Sequence, residues 1–252
     1  MQIPAIELDH VTKCYGAKVA VDDLCLTVRR GELFAFLGPN GAGKTTTIKL
    51  ICGLLRPSAG RIQVLGHDVV DDGQRARRSL AYVADEPYLY EKLTGREFLT
   101  LVYRLYGIDE PTGRRRMEEL IELFDMGAYI DCLTETYSHG MKQRVVFAAA
   151  LVREPEVLVV DEPLVGLDPP TARLVKDLLK QRARRGQTVF MSTHTLSVAE
   201  EVADRIGILH RGRLIWCGTI GQLRAERQAD ARLEDLFLTL IAEEKQQAYD
   251  HE

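Results

Sequence analysis

An α/β fold is predicted, with a mainly parallel sheet, an antiparallel β portion near the N-terminus and an inserted helical subdomain. Three observations carry that reading. Strand-like stretches punctuated by glycine fill the first quarter of the chain. Helical apolar spacing dominates roughly residues 87–154, and short apolar strands then alternate with helices.

In order, "IELDHV", "LCLTV", "ELFAFLG" and "RIQVLG" read as strands, with Gly16, Gly31 and Gly60 as punctuation between them. A helix is predicted from Gly43 through "KTTTIKLICGLL" to Leu55, stopping before Pro57. "LAYV" is a further strand. In the middle, "GREFLTLVYRLYGI" and "RRRMEELIELFDM" carry apolar residues at helical spacing, and "MKQRVVFAAALV" is a nearly apolar helix. "VLVVD", "TVFMST" and "RIGILH" are strands separated by helices over 169–184 and 195–203, which predicts a parallel sheet covered on both faces. Leu233, Leu236, Phe237, Leu240 and Ile241 recur on one face of a last helix, expected to dock on its own domain. The chain is thus expected to be one domain over 1–252. Its core comes from 1–86 and 155–228, its helical subdomain from 87–154, and its amphipathic helix and tail from 229–252.

The 252 residues are 46% hydrophobic and 28% charged, which supplies ample core. A net charge of −4 is too mild for a surface devoted to nucleic acid, and "GRRRM" and "RARRG" read as solvated helix faces. Cys14, Cys25, Cys52, Cys132 and Cys217 contain no CxxC pair, so neither a zinc site nor a disulfide framework is expected. They read as reduced, mostly buried thiols. No run approaches the ~18 apolar residues that span a bilayer, and "MQIPAIELDH" lacks a secretion-signal pattern. If the protein serves a membrane, another chain must do the crossing.

The stretch "GPNGAGKTT", residues 38–46, follows the apolar strand "LFAFL" and opens a helix. It fits the phosphate-binding loop G-x-x-x-x-G-K-[ST] in both residues and context. Gly38, Gly41 and Gly43 let successive backbone N–H groups, those at Asn40 and Ala42 among them, surround phosphate oxygens. The helix N-terminus, carrying Thr45 and Thr46, adds its positive dipole end. Lys44 offers a point charge to β- and γ-phosphates, and Thr45 a hydroxyl to Mg²⁺.

"PEVLVVDEP" is a short buried strand ending in Asp161 and Glu162. At the C-terminal end of a parallel strand, side chains point into the ligand crevice. Asp161 suits Mg²⁺, a hard cation that prefers oxygen. Glu162, just beyond, is placed to orient and deprotonate an attacking water. Alone, such a pair would more often be a helix cap or a solvated turn; beside a phosphate loop it reads as catalytic.

Ser138 and His139 in "TETYSHGMKQRVV" invite a nucleophile-and-base reading, but the strained elbow G-x-S-x-G that would support it is absent. Ser138 and Gly140 instead open an apolar helix, where free N–H groups and a hydroxyl make an anion site.

In this order, the phosphate loop, "LVVDEP" and "YSHGMKQR" resemble the nucleotide-binding subunit of an ATP-binding cassette (ABC) transporter, over residues 6 to about 240. The resemblance implies a phosphate-loop ATPase core using ATP and Mg²⁺, with Lys44, Glu162 and His194 as its catalytic set. It implies a homodimer, or a heterodimer with a second cassette, in which Ser138, His139 and Gly140 of the signature dock on ATP held by the other subunit. Tyr15 resembles the aromatic that stacks on adenine. Asp168 in "GLDPP" resembles the loop that touches the opposite subunit, and His194 in "FMSTH" the histidine that contacts the γ-phosphate. An integral membrane permease is the implied partner, with the cassette peripheral on the cytoplasmic face of the cell membrane and no nucleic acid involved.

Two positions depart from the commonest pattern. Asp85 stands where a glutamine is usual and is expected near the metal. His139 replaces a signature glycine, and Met141 replaces the glutamine that ends the motif. Both departures resemble cassettes serving small export-type permeases. Residues 86–98, "EPYLYEKLTGREF", are expected to expose Tyr88, Leu89 and Tyr90 and to receive a short helix of the membrane subunit. The alternatives are a permease-free cassette acting on ribosomes or nucleic acid, and a regulatory half that binds ATP without hydrolysing it. The single cassette without a coiled-coil insertion argues against the first, and the presence of Lys44, Asp161, Glu162 and His194 against the second.

Overall fold

A computed structural model describes residues 3–227 and 232–249; the remaining positions, part of the predicted tail among them, lie outside the described residues. β1 (Ile6–Tyr15) and β2 (Lys18–Val28) pair antiparallel, β3 (Leu33–Leu37) leaves for another sheet, and β4 (Ala59–Val64) and β5 (His67–Asp68) return. The first sheet thus has the order β2-β1-β4-β5. Its strands bury one register, Ile6 and Leu8 on β1 and Leu24, Leu26 and Val28 on β2, as a half-covered sheet must.

Gly60, expected between elements, lies inside β4. A Cβ there would sit 2.1 Å from the His10 carbonyl oxygen of the neighbouring strand, so the close approach of two backbones requires glycine.

The second sheet carries the site. β6 (Leu80–Val83), β7 (Val157–Asp161), β8 (Thr188–Thr193), β3 and β9 (Arg205–His210) run parallel, and β10 (Arg213–Gly218) closes the edge antiparallel to β9. β3, β7 and β8 are buried along their whole length, and their alternate residues face two cores. Leu33, Ala35, Leu37, Leu158 and Met191 face the helical side. Phe34, Phe36, Val157, Val159 and Phe190 face α1 (Lys44–Ile51) and the antiparallel sheet. α1 stops at Ile51, four residues short of the predicted Leu55. Gly53, at φ 65°, turns the chain so that its own N–H meets Leu50 O and the N–H of Leu54 meets Lys49 O.

After α2 (Gly73–Ser79) and β6, the middle of the chain is helical: α3 (Gly95–Leu105), α4 (Glu110–Leu123) and α5 (His139–Leu151). Thr94 and Glu97 form a reciprocal capping box at the start of α3, and Asp109 caps α4. α6 (Pro169–Arg184), α7 (Leu196–Val202), α8 (Ile220–Glu226) and α9 (Leu233–Tyr249) complete the described elements. α9 buries Leu233, Leu236 and Leu240 in the same core as α7.

Two exposure expectations are corrected. Of the cysteines only Cys52 is buried; Cys14 is half-buried and the other three are exposed. Cys25 and Cys217 face outward from β2 and β10, edge strands whose outer register meets water. Leu89 is buried at 5% exposure while Tyr88 and Tyr90, on either side, are 78% and 52% exposed. The leucine turns into the helical core, and the two tyrosines stay outside.

Candidate nucleotide site

The loop after β3 is glycine-rich because its neighbours leave no room. A Cβ on Gly38 would lie 2.5 Å from Leu209 O of β9, and one on Gly43, at φ 110°, 2.4 Å from Ala20 O of β2. Gly41, at φ 80°, faces open space. Lys44 follows as the first residue of α1. Its buried ammonium donates to Gly38 O at 2.8 Å and stands 3.5 Å from Glu162 Oε1. The exposed Thr45 and half-buried Thr46 complete that first turn.

Asp161 and Glu162 stand at the end of β7. Asp161 is 1% exposed; Ser192 of β8 donates its hydroxyl to Oδ1, while Oδ2 is buried with no hydrogen-bond partner. A carboxylate oxygen left bare in the interior is costly unless a cation completes it. The donor set therefore fits Mg²⁺, with the Thr45 hydroxyl as a second oxygen.

Glu162 adopts φ 47°, rare for a residue with a side chain, and its N–H donates to Ser192 Oγ at 3.1 Å. That turn swings its carboxylate between Lys44 and His194, whose Nδ1 lies 3.0 Å from Oε2.

One open cleft of about 660 Å³ runs from Tyr15 past Asn40, Gly41, Gly43, Lys44, Thr45 and Thr46 to Asp85 and Glu162. Asp161 lies buried behind its wall, and His194 opens on a neighbouring hollow with Thr195 and Glu200, reaching the cleft only through Glu162. Tyr15 is half-exposed at the end of β1, with the Lys13 ammonium 5.3 Å above its ring. Asp85 follows β6. Burial first, then the charges of Asp161, Glu162 and Glu86, push its pKa above the ordinary carboxylate value. Sequence reasoning missed Lys18, Arg211 and Gly212, which also line the cleft. "HRGR" could have been read as a hairpin turn, but nothing local says which loop that turn will touch.

Ser138, His139 and Gly140 are not in this cleft. Ser138 caps α5, accepting the Met141 N–H at 3.3 Å. The His139 ring packs on Gly166, where a Cβ would meet its Cδ2 at 2.9 Å. Gly140 has nothing from its own chain within 4 Å of where a Cβ would stand. Asp168 caps α6, accepting the N–H and the hydroxyl of Thr171, each at 2.9 Å, and Arg144 reaches within 3.5 Å of it. The Thr171 N–H is the main reason the Asp168 carboxyl is held below its usual pKa.

A strand, a glycine loop, a helix-borne lysine and a strand-end aspartate with a bare oxygen define a phosphate-loop nucleotide-binding protein. The ABC transporter family profile matches residues 21–165. The daunorubicin resistance ATP-binding protein DrrA3 of Streptomyces coeruleorubidus is 42% identical over 226 residues, which are 90% of this chain and 72% of that protein. A solved ATP-binding subunit of an ABC transporter superposes with a TM-score of 0.90 at 35% identity, covering 94% of this chain and 99% of that one. A dimeric ATP-binding cassette in a post-hydrolysis state, bound to ADP and Pi, superposes with a TM-score of 0.79 at 26% identity, over 85% of this chain and 98% of that one. The chain belongs to the ABC transporter family, as an ATP-binding and ATP-hydrolysing cassette.

Proposed function

We propose that this cassette powers export of a drug-like solute through a separate permease, closing on a second cassette when ATP binds and reopening after hydrolysis. The observation that carries the chemistry is Glu162 held between Lys44 and His194. Lys44 is already drawn by ionic contact toward the cleft, and arriving phosphates replace Gly38 O as its acceptor. Asp161 Oδ2 and the Thr45 hydroxyl would hold Mg²⁺, which when bound neutralises charge on the β- and γ-phosphates. Tyr15 stacks on adenine at the far end of the cleft. Glu162 accepts the proton of the attacking water, and His194 fixes the carboxylate and faces the γ-phosphate. Asp85, whose pKa is raised first by burial and then by its acidic neighbours, sits at the metal end.

Ser138 and Gly140 act in trans. They lie outside their own cleft, and the space above Gly140 is open, so they are free to receive the phosphate held by another subunit. His139 and the Asp168 loop border that contact. No helix among the described residues is long and apolar enough to cross a membrane, so the permease supplies the path and Tyr88 and Tyr90 its docking surface. The DrrA3 relative, named for daunorubicin resistance, supports a drug-like cargo.

The test is purification of the tagged full chain from detergent-solubilised membranes of its own cell. A multi-span protein should co-purify and, rejoined with the cassette in lipid, stimulate phosphate release. Recovery of ribosomes or nucleic acid in its place would overturn the transport reading.

A further inference from the structure

We propose that Arg211 is a further nucleotide-binding residue whose guanidinium contacts a phosphate oxygen of the bound nucleotide. The proposal rests on the ATP-site reading and extends it to the hairpin between β9 and β10. His210 and Arg213 pair across that hairpin, which leaves Arg211 and Gly212 as a two-residue turn. Both have positive φ, 48° and 84°, the arrangement of a type I′ turn, where asparagine or glycine normally stands first.

The turn is fastened to the phosphate loop. The Gly212 N–H donates to Ala42 O at 2.8 Å, and Gly212 O accepts the Asp22 N–H at 2.9 Å. A Cβ on Gly212 would stand 3.0 Å from Ala20 O, the same carbonyl that crowds Gly43. On the inner side, the buried His210 ring is hydrogen-bonded to Glu244 of α9, which fixes the strand end from which the turn projects. Arg211 is thus carried on a rigid support into the wall of the cleft.

Its charge is unspent. Arg205 pairs with Glu32 at 3.0 Å and Arg213 with Asp22 at 2.7 Å, whereas Arg211 has no hydrogen bond or ion pair among the described residues. Lys44 is engaged by Gly38 O and Glu162. A triphosphate brings more negative charge than one such lysine balances, and a guanidinium fork matches phosphate geometry.

The test titrates the full chain with ATP and with adenosine, at low and at raised salt, in Arg211→Asn, Arg211→Lys and Lys44→Ala. Asparagine tolerates positive φ and so keeps the turn. Arg211→Asn should weaken ATP about tenfold, leave adenosine unchanged and flatten the salt dependence of ATP binding. Arg211→Lys should recover most of the loss. Wild-type ATP affinity in Arg211→Asn, with Lys44→Ala impaired, overturns the assignment and leaves the site standing. Equal losses for ATP and adenosine also overturn it, because they mark a deformed turn. Undiminished ATP binding in Lys44→Ala overturns the nucleotide site, and the Arg211 assignment with it.

Discussion

His194 meets Glu162 twice: its Nδ1 lies 3.0 Å, and its backbone N–H 3.3 Å, from the same carboxylate oxygen. The backbone N–H donates to the carboxylate, and the ring beside it holds the same oxygen in place. Replacing Glu162 with glutamine keeps the shape but removes the base. Glu162→Gln should retain ATP yet lose a hundredfold or more in turnover, about 3 kcal/mol of barrier. Phosphate release measured beside ATP binding checks this; near-normal turnover would remove Glu162 from its role.

Asp85 gives a pH-dependent expectation. Its pKa in the folded chain is raised, so the folded state favours the protonated form. That stabilising contribution is complete below the ordinary carboxylate value and is lost as pH rises through the raised one. At neutral pH the charged Asp85, partly desolvated and facing Asp161 and Glu162, is therefore held at a net cost. Asp85→Asn should raise the melting temperature of nucleotide-free protein slightly at pH 7, with the gain fading as the pH approaches 4. A pH-independent difference in thermal melts would contradict the electrostatic account.

Two glycines separate folding from assembly. Gly43→Ala forces a methyl to 2.4 Å from Ala20 O at φ 110°, so it should lower thermal stability and abolish ATP binding. Gly140→Ala meets nothing in its own chain and lies in the first turn of α5. Its melting curve should match wild type while ATP-dependent dimerisation of a Glu162→Gln background weakens. Light scattering with ATP reads the second effect, and undisturbed dimers would argue against docking at Gly140.

Tyr137 anchors the same region. Its hydroxyl donates to Tyr129 O at 2.7 Å and accepts the Gly95 N–H at 3.2 Å, tying the start of α3 to the approach to α5. Tyr137→Phe leaves that buried N–H without a partner and should cost about 1–3 kcal/mol in denaturant unfolding. A change within error would show that another acceptor replaces it.

The phosphate loop and the Asp161-Glu162 pair were legible because each is a short local motif at a strand end. The burial of β3, β7 and β8 was legible for a similar reason, since apolar runs with parallel-sheet spacing have few other uses. Gly60 and Leu89 were not. The glycine answers to a carbonyl on β1 that is distant in sequence, and the leucine differs from its two exposed tyrosine neighbours only in the direction its side chain takes. Arg211 escaped for the same physical reason. A hairpin tip announces its own turn, while its docking on Ala42 depends on how β9 lies beside β3.

The His210–Glu244 bond ties α9 to the strand that ends at the Arg211 turn. Deleting the last helix would strand a buried imidazole at the strand end that carries the Arg211 turn, and bare the leucines beneath the helix. Shortening the protein at residue 232 would for that reason be a lesion of ATP affinity, and a tag or fused partner is better attached at the other terminus.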